Sequence, residues 1–460
     1  MRWRTVLLAW VVALLAVVAW AALEVVVSSG TVPVAPLVWQ PPAADSVDRI
    51  EINRGRGEPL VFERTGPAWR QTKPIAVQVE PMAIRQLIDA ALGLQSEGGV
   101  DFTGSAEARA LGLAEGAPEV LFRAGSKEFR FALGHRISAG RAWVRMNGEP
   151  GAHRTMAALH ELALSADERQ WRRRALFERA DVDADRVSVE ALDARSDKRI
   201  ALEVVRDGSV WRMERPVRTR ADQEGVLRLL EALGGAAVTG FVVDNPESVA
   251  AFGLDNPVAA IEVESTQRTV NNGVVSSQKR IEGVLLGTQL LTGSPDRFAM
   301  IRGLNSVLEL DGPTIASLLP DLSQLIDARA SGVAVADVTG MQVVMANGKE
   351  IKLGRKGESW LLESSWVPMP QPRELPSDIP NRLLEKLCTA KASGFELGSA
   401  PEKLLMATVT LLGLDSKPAA TLRISHEEIP GGKWAIDAGD GLLRVFDPQW
   451  GESLERLLAH

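Results

Sequence analysis

Histidine and cysteine clusters are the usual carriers of metal and nucleophilic chemistry, and this chain has few of either side chain. It has five histidines, one cysteine and no tyrosine. His153 and His160 are seven residues apart, and the run His160-Glu161-Leu162 lacks the second histidine of a zinc-protease helix. Cys388 stands alone, which excludes an intramolecular disulfide and a cysteine-based zinc site. We therefore predict no metal site and no cofactor.

Paired carboxylates are the other side chains that could do chemistry. Asp181, Asp183 and Asp185 stand at alternate positions, as do the first ligands of an EF-hand calcium loop. The loop needs a glycine next, and Arg186 occupies that place, so we interpret the run as a solvated linker. The glycine-rich nucleotide loops and the G-x-S-x-G hydrolase motif are absent from the sequence. We predict no catalytic residues, and a hydrolase that uses scattered carboxylates remains a third, less favoured hypothesis.

Two charged or polar stretches are candidates for binding. Residues 168–179, ERQWRRRALFER, form a basic cluster that would contact anionic lipid or a partner's acidic face, although an exposed helix end is the favoured interpretation. Residues 265–280, STQRTVNNGVVSSQKR, predict a long polar hairpin around Asn-Asn-Gly, which is either a decoration or a docking arm. A net charge of -7 disfavours nucleic acid as the partner.

One pattern of elements repeats three times along the chain. Alternating apolar residues predict three short strands in 49–74, 186–216 and 340–364, with a tryptophan in each set at Trp69, Trp211 or Trp360. We expect these tryptophans to be core anchors. Amphipathic helices are predicted over 81–94, 222–234 and 378–388, and the last of these places Cys388 on a buried face.

A Gly-Leu step follows each predicted helix, at 112–113, 253–254 and 413–414. We expect the glycine to adopt a left-handed conformation and the leucine to enter the core. The step then leads into a strand at 118–124, 259–265 or 420–425. A further strand and an amphipathic helix, such as 313–326 or 449–458, complete each repeat. The pattern predicts an α+β fold of three tandem related units with mainly antiparallel sheets.

The first residues differ from the rest. Arg2 and Arg4 precede an uncharged apolar run, Thr5 to Leu23, that is long enough to span a bilayer. We favour an uncleaved transmembrane anchor over a cleaved signal peptide, for which Ala19-Trp20-Ala21 is a cleavage match. The predicted domains are an anchor (1–28), a proline-rich spacer (29–45) and three repeat units (46–178, 179–330 and 331–460).

The order of these elements resembles the family called domain of unknown function 4340. The resemblance is carried by VWRMERPVRTRADQEGVLRLLEALGG, NPESVAAFGLDNPVAAIEVE and RFAMIRGLNSVLELDGPTIASLLPDLSQLIDARA in the second unit, and by WRQTKPIAVQVEP and QWRRRALFERADVDADRVSV in the first. It implies an extracytoplasmic, membrane-tethered protein, often associated with ABC-type transport systems related to those of gliding motility. The family has no assigned catalytic residues to carry over.

The sequence and the resemblance together predict a non-enzymatic accessory or scaffold protein. We expect a single-pass inner-membrane protein with a cytoplasmic N-terminus and an extracytoplasmic bulk. Its expected partner is an ABC-type permease or a cell-envelope component. The alternative is an extracytoplasmic substrate-binding protein with a cleft between units, which needs convergent polar and aromatic residues on a concave surface.

Overall fold

Each repeat of the pattern forms one nine-stranded antiparallel sheet, and the strand order is the same in all three sheets. The structure is a computed structural model that describes residues 42–102, 104–178, 180–192, 197–271, 274–368, 371–426, 434–451 and Leu454. The first sheet has the order β4-β3-β2-β1-β6-β7-β8-β9-β5, and the other two repeat this order with every strand number raised by nine and by eighteen.

The strands of the first sheet are β1 (Arg49–Asn53), β2 (Leu60–Thr65), β3 (Ala68–Lys73), β4 (Val77–Gln78), β5 (Gly99–Asp101), β6 (Glu119–Ala124), β7 (Lys127–Ile137), β8 (Arg141–Met146) and β9 (Gly151–Met156). Those of the second are β10 (Ala184–Leu192), β11 (Arg199–Asp207), β12 (Val210–Arg215), β13 (Thr219–Arg220), β14 (Gly240–Asp244), β15 (Ala259–Asn271), β16 (Val274–Gln289), β17 (Arg297–Ile301) and β18 (Ser306–Leu310). Those of the third are β19 (Gly340–Met345), β20 (Glu350–Lys356), β21 (Ser359–Ser365), β22 (Arg373–Leu375), β23 (Gly394–Leu397), β24 (Leu405–Leu412), β25 (Pro418–His426), β26 (Trp434–Asp437) and β27 (Leu442–Phe446).

The helices are fewer and shorter than the strands. They are α1 (Pro81–Leu92), α2 (Ser105–Ala110), α3 (Ala158–Ala163), α4 (Ala180–Asp183), α5 (Gln223–Gly235), α6 (Gly312–Leu318), α7 (Leu322–Leu325) and α8 (Asp378–Thr389). Single 3-10 turns are formed by Ala44–Ser46, Ala250–Phe252, Val335–Asp337, Glu402–Leu404, Leu414–Ser416 and Pro448–Gly451. The fold is therefore mostly β, and the α+β class predicted from the sequence is corrected to three antiparallel sheets with few helices.

A long helix covers one face of each sheet because that face is apolar. In the first sheet β1 alternates buried Ile50 and Ile52 with polar residues, and α1 buries Ile84 and Leu87 in the same core. The opposite face carries cross-strand ion pairs, such as Arg49 with Glu63. This one-sided burial is typical of antiparallel sheets.

The three tryptophans occupy the same place in the three sheets. Trp69 pairs with Arg64, Trp211 with Arg206 and Trp360 with Arg355 across the hairpin that joins the second and third strands of each sheet. Trp211 and Trp360 are buried, whereas Trp69 is half-buried against its core. The predicted role as core anchors therefore describes the second and third tryptophans fully and the first in part.

The Gly-Leu prediction is right in two sheets and wrong in the third. Gly112 and Gly253 have left-handed φ angles of 74° and 67°, and the leucines that follow them, Leu113 and Leu254, are buried. Gly413 has a φ of -94° and Leu414 is 81% exposed, because this step lies in the turn between β24 and β25. The strand before that turn, β24, is the counterpart of β6 and β15, so 420–425 belongs to the following strand.

The closing helix predicted over 313–326 is two helices, α6 and α7. Pro320 lies between them, and its missing N–H interrupts the hydrogen bonding of one continuous helix. Only part of the predicted helix 449–458 falls within the described residues, and there the chain forms the 3-10 turn Pro448–Gly451. Both segments still bury apolar side chains, including Leu318 and Trp450.

Contacts divide the chain after Arg174 into two units. The first sheet belongs to one unit, and the second and third sheets share the other. The unit boundaries predicted at 178 and 330 stay predictions. In the described part of the chain, no helix is both long and apolar enough to cross a membrane, and the predicted anchor 1–28 lies outside it.

Two glycines that look alike in the sequence should respond differently to substitution. We expect Gly253→Ala to lower the free energy of unfolding by about 1–3 kcal/mol, because a Cβ would lie 2.6 Å from Thr288 Cγ2 at a left-handed φ. Gly413→Ala should have little effect, since its nearest neighbour, Ala419 Cβ, is 3.5 Å away. Hydrogen-exchange mass spectrometry of both variants measures the change in the free energy of unfolding. Equal changes would contradict the conclusion that the two glycines have different surroundings.

Candidate functional site

The two histidines weighed as metal ligands are buried and bonded to separate neighbours. His153 contacts Ser96 Oγ through Nδ1 and Glu149 Oε2 through Nε2, both at 3.1 Å. His160 Nε2 lies 3.2 Å from the Trp143 carbonyl oxygen, and burial lowers the pKa of this imidazole below its ordinary value. Among the described residues, no group of three histidine, cysteine, aspartate or glutamate side chains is placed to hold a metal ion.

The aspartate run does not lie in a solvated linker, so that prediction is wrong. Residues 180–183 form the helical turn α4, and the next residue begins β10. Asp183 and Asp185 are half-buried. Cys388 is buried on α8 as predicted, and this burial raises the pKa of its thiol, which opposes nucleophilic use.

The basic cluster is not an exposed helix end either. No helix forms within the described residues 165–178. Arg172 is buried and forms an isolated β-bridge with Val79, and Arg173 Nη1 donates to Gln78 Oε1 at 3.1 Å. These arginines tie the end of the first unit to its own sheet. Contact with anionic lipid or an acidic partner remains a prediction.

The most unusual polar arrangement lies where the second and third sheets meet. We call it the junction cluster, and it comprises Thr219, Arg220, Asp327, Arg329, Asp440 and Arg444. The segment after α7 forms two isolated bridges, from Ile326 to Ala221 just after β13 and from Arg329 to Lys391 just after α8. Leu442 of β27 belongs to the hydrophobic core of the second sheet. The cluster is thus enclosed by packing between the two sheets.

Arg444 is the centre of the junction cluster and is fully buried. Its Nη1 and Nη2 donate to the two carboxylate oxygens of Asp440 at 3.1 and 2.8 Å, a bidentate pair. Nη2 also donates to Thr219 Oγ1 at 3.0 Å, and Nε donates to the Asp327 carbonyl oxygen at 3.2 Å. The Thr219 hydroxyl in turn donates to Asp440. A buried guanidinium is stable here because its donors have partners.

Asp327 is the second anion of the junction cluster, and it joins two further arginines. Arg329 donates to it through Nε at 2.9 Å and through Nη2 at 3.0 Å. Arg220 Nε donates to the same carboxylate at 3.2 Å, and Arg220 Nη2 donates to the Arg329 carbonyl oxygen at 2.6 Å. One carboxylate therefore links β13 of the second sheet to the segment that leads into the third.

Burial and pairing act against each other on these carboxylates. Burial alone would raise the pKa of Asp327, but hydrogen bonds from Arg329 outweigh it and hold the pKa below its ordinary value. Asp440 behaves in the same way through its bonds to Arg444 and Thr219, so its pKa is also lowered. Burial, followed by the charge of Arg444, lowers the pKa of Arg220. Both carboxylates are consequently ionised at neutral pH.

A cavity of about 280 Å³, the junction pocket, adjoins the cluster. It is lined by Asp222, Gln223, Glu224, Asp327, Arg329 and Lys391. Several of these side chains already have partners. Asp222 Oδ1 accepts from the Gly225 amide at 2.8 Å and caps α5, and Gln223 bonds to the backbone of Trp211. The exposed Glu224 and Lys391 are the charges that the pocket offers most freely to solvent.

The sequence contains one signal for the junction cluster. Arg444 interrupts an apolar run, Leu442-Leu443-Arg444-Val445-Phe446, and Asp440 stands four residues before it. Arg444 faces Phe395 in the third sheet, and at the same register Leu308 faces Phe241 in the second. Comparison of the repeats would have identified the substitution, although not its partners from β13 and the connecting segment.

The comparison with known families agrees with the repeated architecture. The family described as "Domain of unknown function (DUF4340)" matches residues 69–210 and again residues 211–434, and the chain belongs to this family. The matches begin at Trp69 and Trp211, which hold equivalent positions in the first two sheets. No curated protein and no solved structure matches the chain.

Removing the central guanidinium should destabilise the junction. We expect Arg444→Leu to lower the local free energy of unfolding by about 3–5 kcal/mol, because Asp440 keeps a buried charge without its partner. The double variant Arg444→Leu/Asp440→Ala should lose less local free energy of unfolding than the single variant Arg444→Leu. Hydrogen exchange of β27 measures both, and a double variant that loses the sum of two large single effects would contradict the pairing.

Acid should weaken the junction through the same carboxylates. Because the folded-state pKa values of Asp327 and Asp440 are lowered, their contribution is fully present above the unfolded-state pKa of about 3.9 and is lost as pH falls through the folded-state values. We expect exchange protection of β27 to fall below about pH 4. In the Asp440→Asn variant, exchange protection of β27 should be weaker at pH 7 and should decline less on acidification. Identical pH profiles for the variant and the unchanged protein would show that Asp440 is not the titrating group.

Proposed function

We propose that the protein is a non-enzymatic accessory or scaffold protein, anchored by residues 1–28 in the inner membrane with its sheets outside the cytoplasm. Its proposed partner is the permease of an ABC-type transport system or a component of the cell envelope. The support comes from a repeated sheet framework and from one hairpin that extends beyond it.

The hairpin of β15 and β16 is the observation that carries the proposal. In the first sheet the corresponding hairpin ends at the pair Ala124 and Lys127, which is equivalent to Ser265 and Arg280. The second sheet adds six more residue pairs, from Thr266 with Lys279 to Asn271 with Val274. Within the described residues, no third strand pairs with this extension. We call the added pairs the hairpin arm.

The hairpin arm has features of a docking element. A two-stranded ribbon is only marginally stable in water without further packing, and both of its backbone edges are open to another chain. Ile281, next to the base of the arm, is 61% exposed and Lys279 nearby is 58% exposed. A partner that contacts the arm would cover the isoleucine and the open strand edges. This favours the docking role over a flexible decoration.

Shortening the hairpin arm tests the proposal. Replacement of residues 266–279 by Gly-Ser would recreate the turn that joins β6 to β7, where Gly125 and Ser126 connect the strands. We expect the shortened protein to fold, as judged by hydrogen exchange of the second sheet, and to lose a crosslink to a permease or envelope protein identified by mass spectrometry from native membranes.

The matched control variant keeps the full length of the arm and replaces only Thr266 and Gln267 by serine. Equal crosslinking by the shortened and control proteins would show that the arm does not dock. Recovery of the full-length protein only as a free monomer from crosslinked membranes would contradict the scaffold proposal itself.

The alternative proposal is a substrate-binding protein, and the junction pocket supports it. The pocket is lined by polar side chains that come from both the second and the third repeat, as that proposal requires. Two observations weigh against it: the capping and bridging side chains of the pocket are already paired, and five of the eight tryptophans in the described ranges are buried. A ligand that protects residues 222–224 and 327–329 from hydrogen exchange would favour it.

A further inference from the structure

A groove beside Trp69 distinguishes the first sheet from the other two. The groove has a volume of about 260 Å³, and five of its lining residues form an apolar strip: Pro67, Trp69, Pro81, Met82 and Ile88. We call it the Trp69 groove. Met82 is 62% exposed and Trp69 is half-buried, so this strip is open to solvent.

The groove exists because the first sheet lacks the contacts that surround the equivalent tryptophans. In the second sheet Gln223, the first residue of α5, bonds to both backbone polar groups of Trp211, at 2.8 and 2.9 Å. In the third sheet Asn381 accepts a hydrogen bond from the Trp360 indole at 2.7 Å. Pro81 is the first residue of α1 and has no side chain able to form such bonds.

The Trp69 indole is consequently available to a ligand. Within the described part of the chain, its nitrogen forms no hydrogen bond, whereas the Trp360 indole nitrogen does. A partly exposed aromatic ring with an N–H donor is the chemistry that recognises polyproline II segments, whose backbone carbonyls have no internal partners.

The two arginines near the groove already have hydrogen-bond partners, which favours an uncharged occupant. Arg64 donates to the carbonyl oxygens of Gly66 at 3.0 Å and Asp45 at 2.6 Å. Arg85 pairs with Asp89 at 3.1 Å and with Asp45 at 3.5 Å. An acidic peptide would have to compete with these contacts, whereas an apolar segment would only cover the strip.

The chain itself supplies a segment of that kind. Residues 30–41, GTVPVAPLVWQP, carry no charge, and they contain three prolines and Trp39. The described chain starts at Pro42, and Ala44 already lines the groove, so the described chain begins beside it. Six residues in a polyproline II helix cover about 19 Å, enough to cross a groove of this size.

We propose that the Trp69 groove binds the proline-rich segment 30–41 of the same chain, with the Trp69 indole donating to one of its backbone carbonyls. The segment covers Met82 and the exposed edge of Trp69, and it fixes the direction in which the chain enters the first sheet. This inference does not depend on a membrane anchor or on any partner.

Disulfide trapping in the purified full-length chain tests this docking. The only native cysteine, Cys388, is buried. We expect the pair Val38→Cys/Met82→Cys to form an intramolecular disulfide about tenfold faster than Val38→Cys/Met156→Cys, because docking raises the effective concentration. Met156 is the matched control, since it belongs to the same unit, is 56% exposed and lies outside the groove.

Two further variants separate the contributions of Trp69. Trp69→Ala should reduce the rate for the Met82 pair to that of the Met156 pair, and Trp69→Phe, which keeps an aromatic ring without the N–H, should give an intermediate rate. If Trp69→Ala unfolds the first sheet, Trp69→Phe still decides, because the tether between Val38 and the groove has the same length in every variant. Equal rates for the Met82 and Met156 pairs, or a Met82 rate that is unchanged in the folded Trp69 variants, would overturn the proposal.

Discussion

One constraint organises each repeat: an antiparallel sheet with one apolar face must bury that face using its own connecting segments. The chain builds one edge with a short strand such as β4, passes into the long helix α1, and resumes at the opposite edge with β5. The edge-to-edge connection therefore carries the helix that covers the core. This constraint explains two sequence patterns. Ile50 and Ile52 alternate with polar neighbours along the strand, and Ile84 and Leu87 lie on one face of the helix.

The meeting of the second and third sheets obeys a different rule. Leu442 joins the core of the second sheet, and this apolar contact takes Arg444 out of water. A buried cation of this kind is tolerated only with paired anions and hydrogen-bond acceptors, which Asp440, Thr219 and the Asp327 carbonyl supply. Hydrophobic contact brings the sheets together, and the ion pairs restrict them to the arrangement in which every donor has a partner.

The repeats, the strands around each tryptophan and the three long helices were predictable from the sequence, because periodicity reports directly on which face is buried. Gly413-Leu414 was misassigned because a Gly-Leu pair also suits a hairpin turn, and its φ angle is not written in the residue type. The arginines of 168–174 were misread because β-bridges such as that of Arg172 with Val79 join distant residues. The junction cluster was missed for the same reason: Thr219 and Arg444 are separated by more than two hundred residues.

Three sheets with one strand order in a single polypeptide create a hazard during folding, since a strand of one repeat can occupy its homologous place in another. Leu308 and Arg444 hold the same register in their sheets, and this difference distinguishes β27 from β18. If β27 were to occupy the place of β18, Arg444 would stand where Leu308 packs in the apolar core of the second sheet, and the cost of burying a charge there would disfavour the exchange. A charged residue in an apolar strand thus favours pairing of that strand within its own sheet.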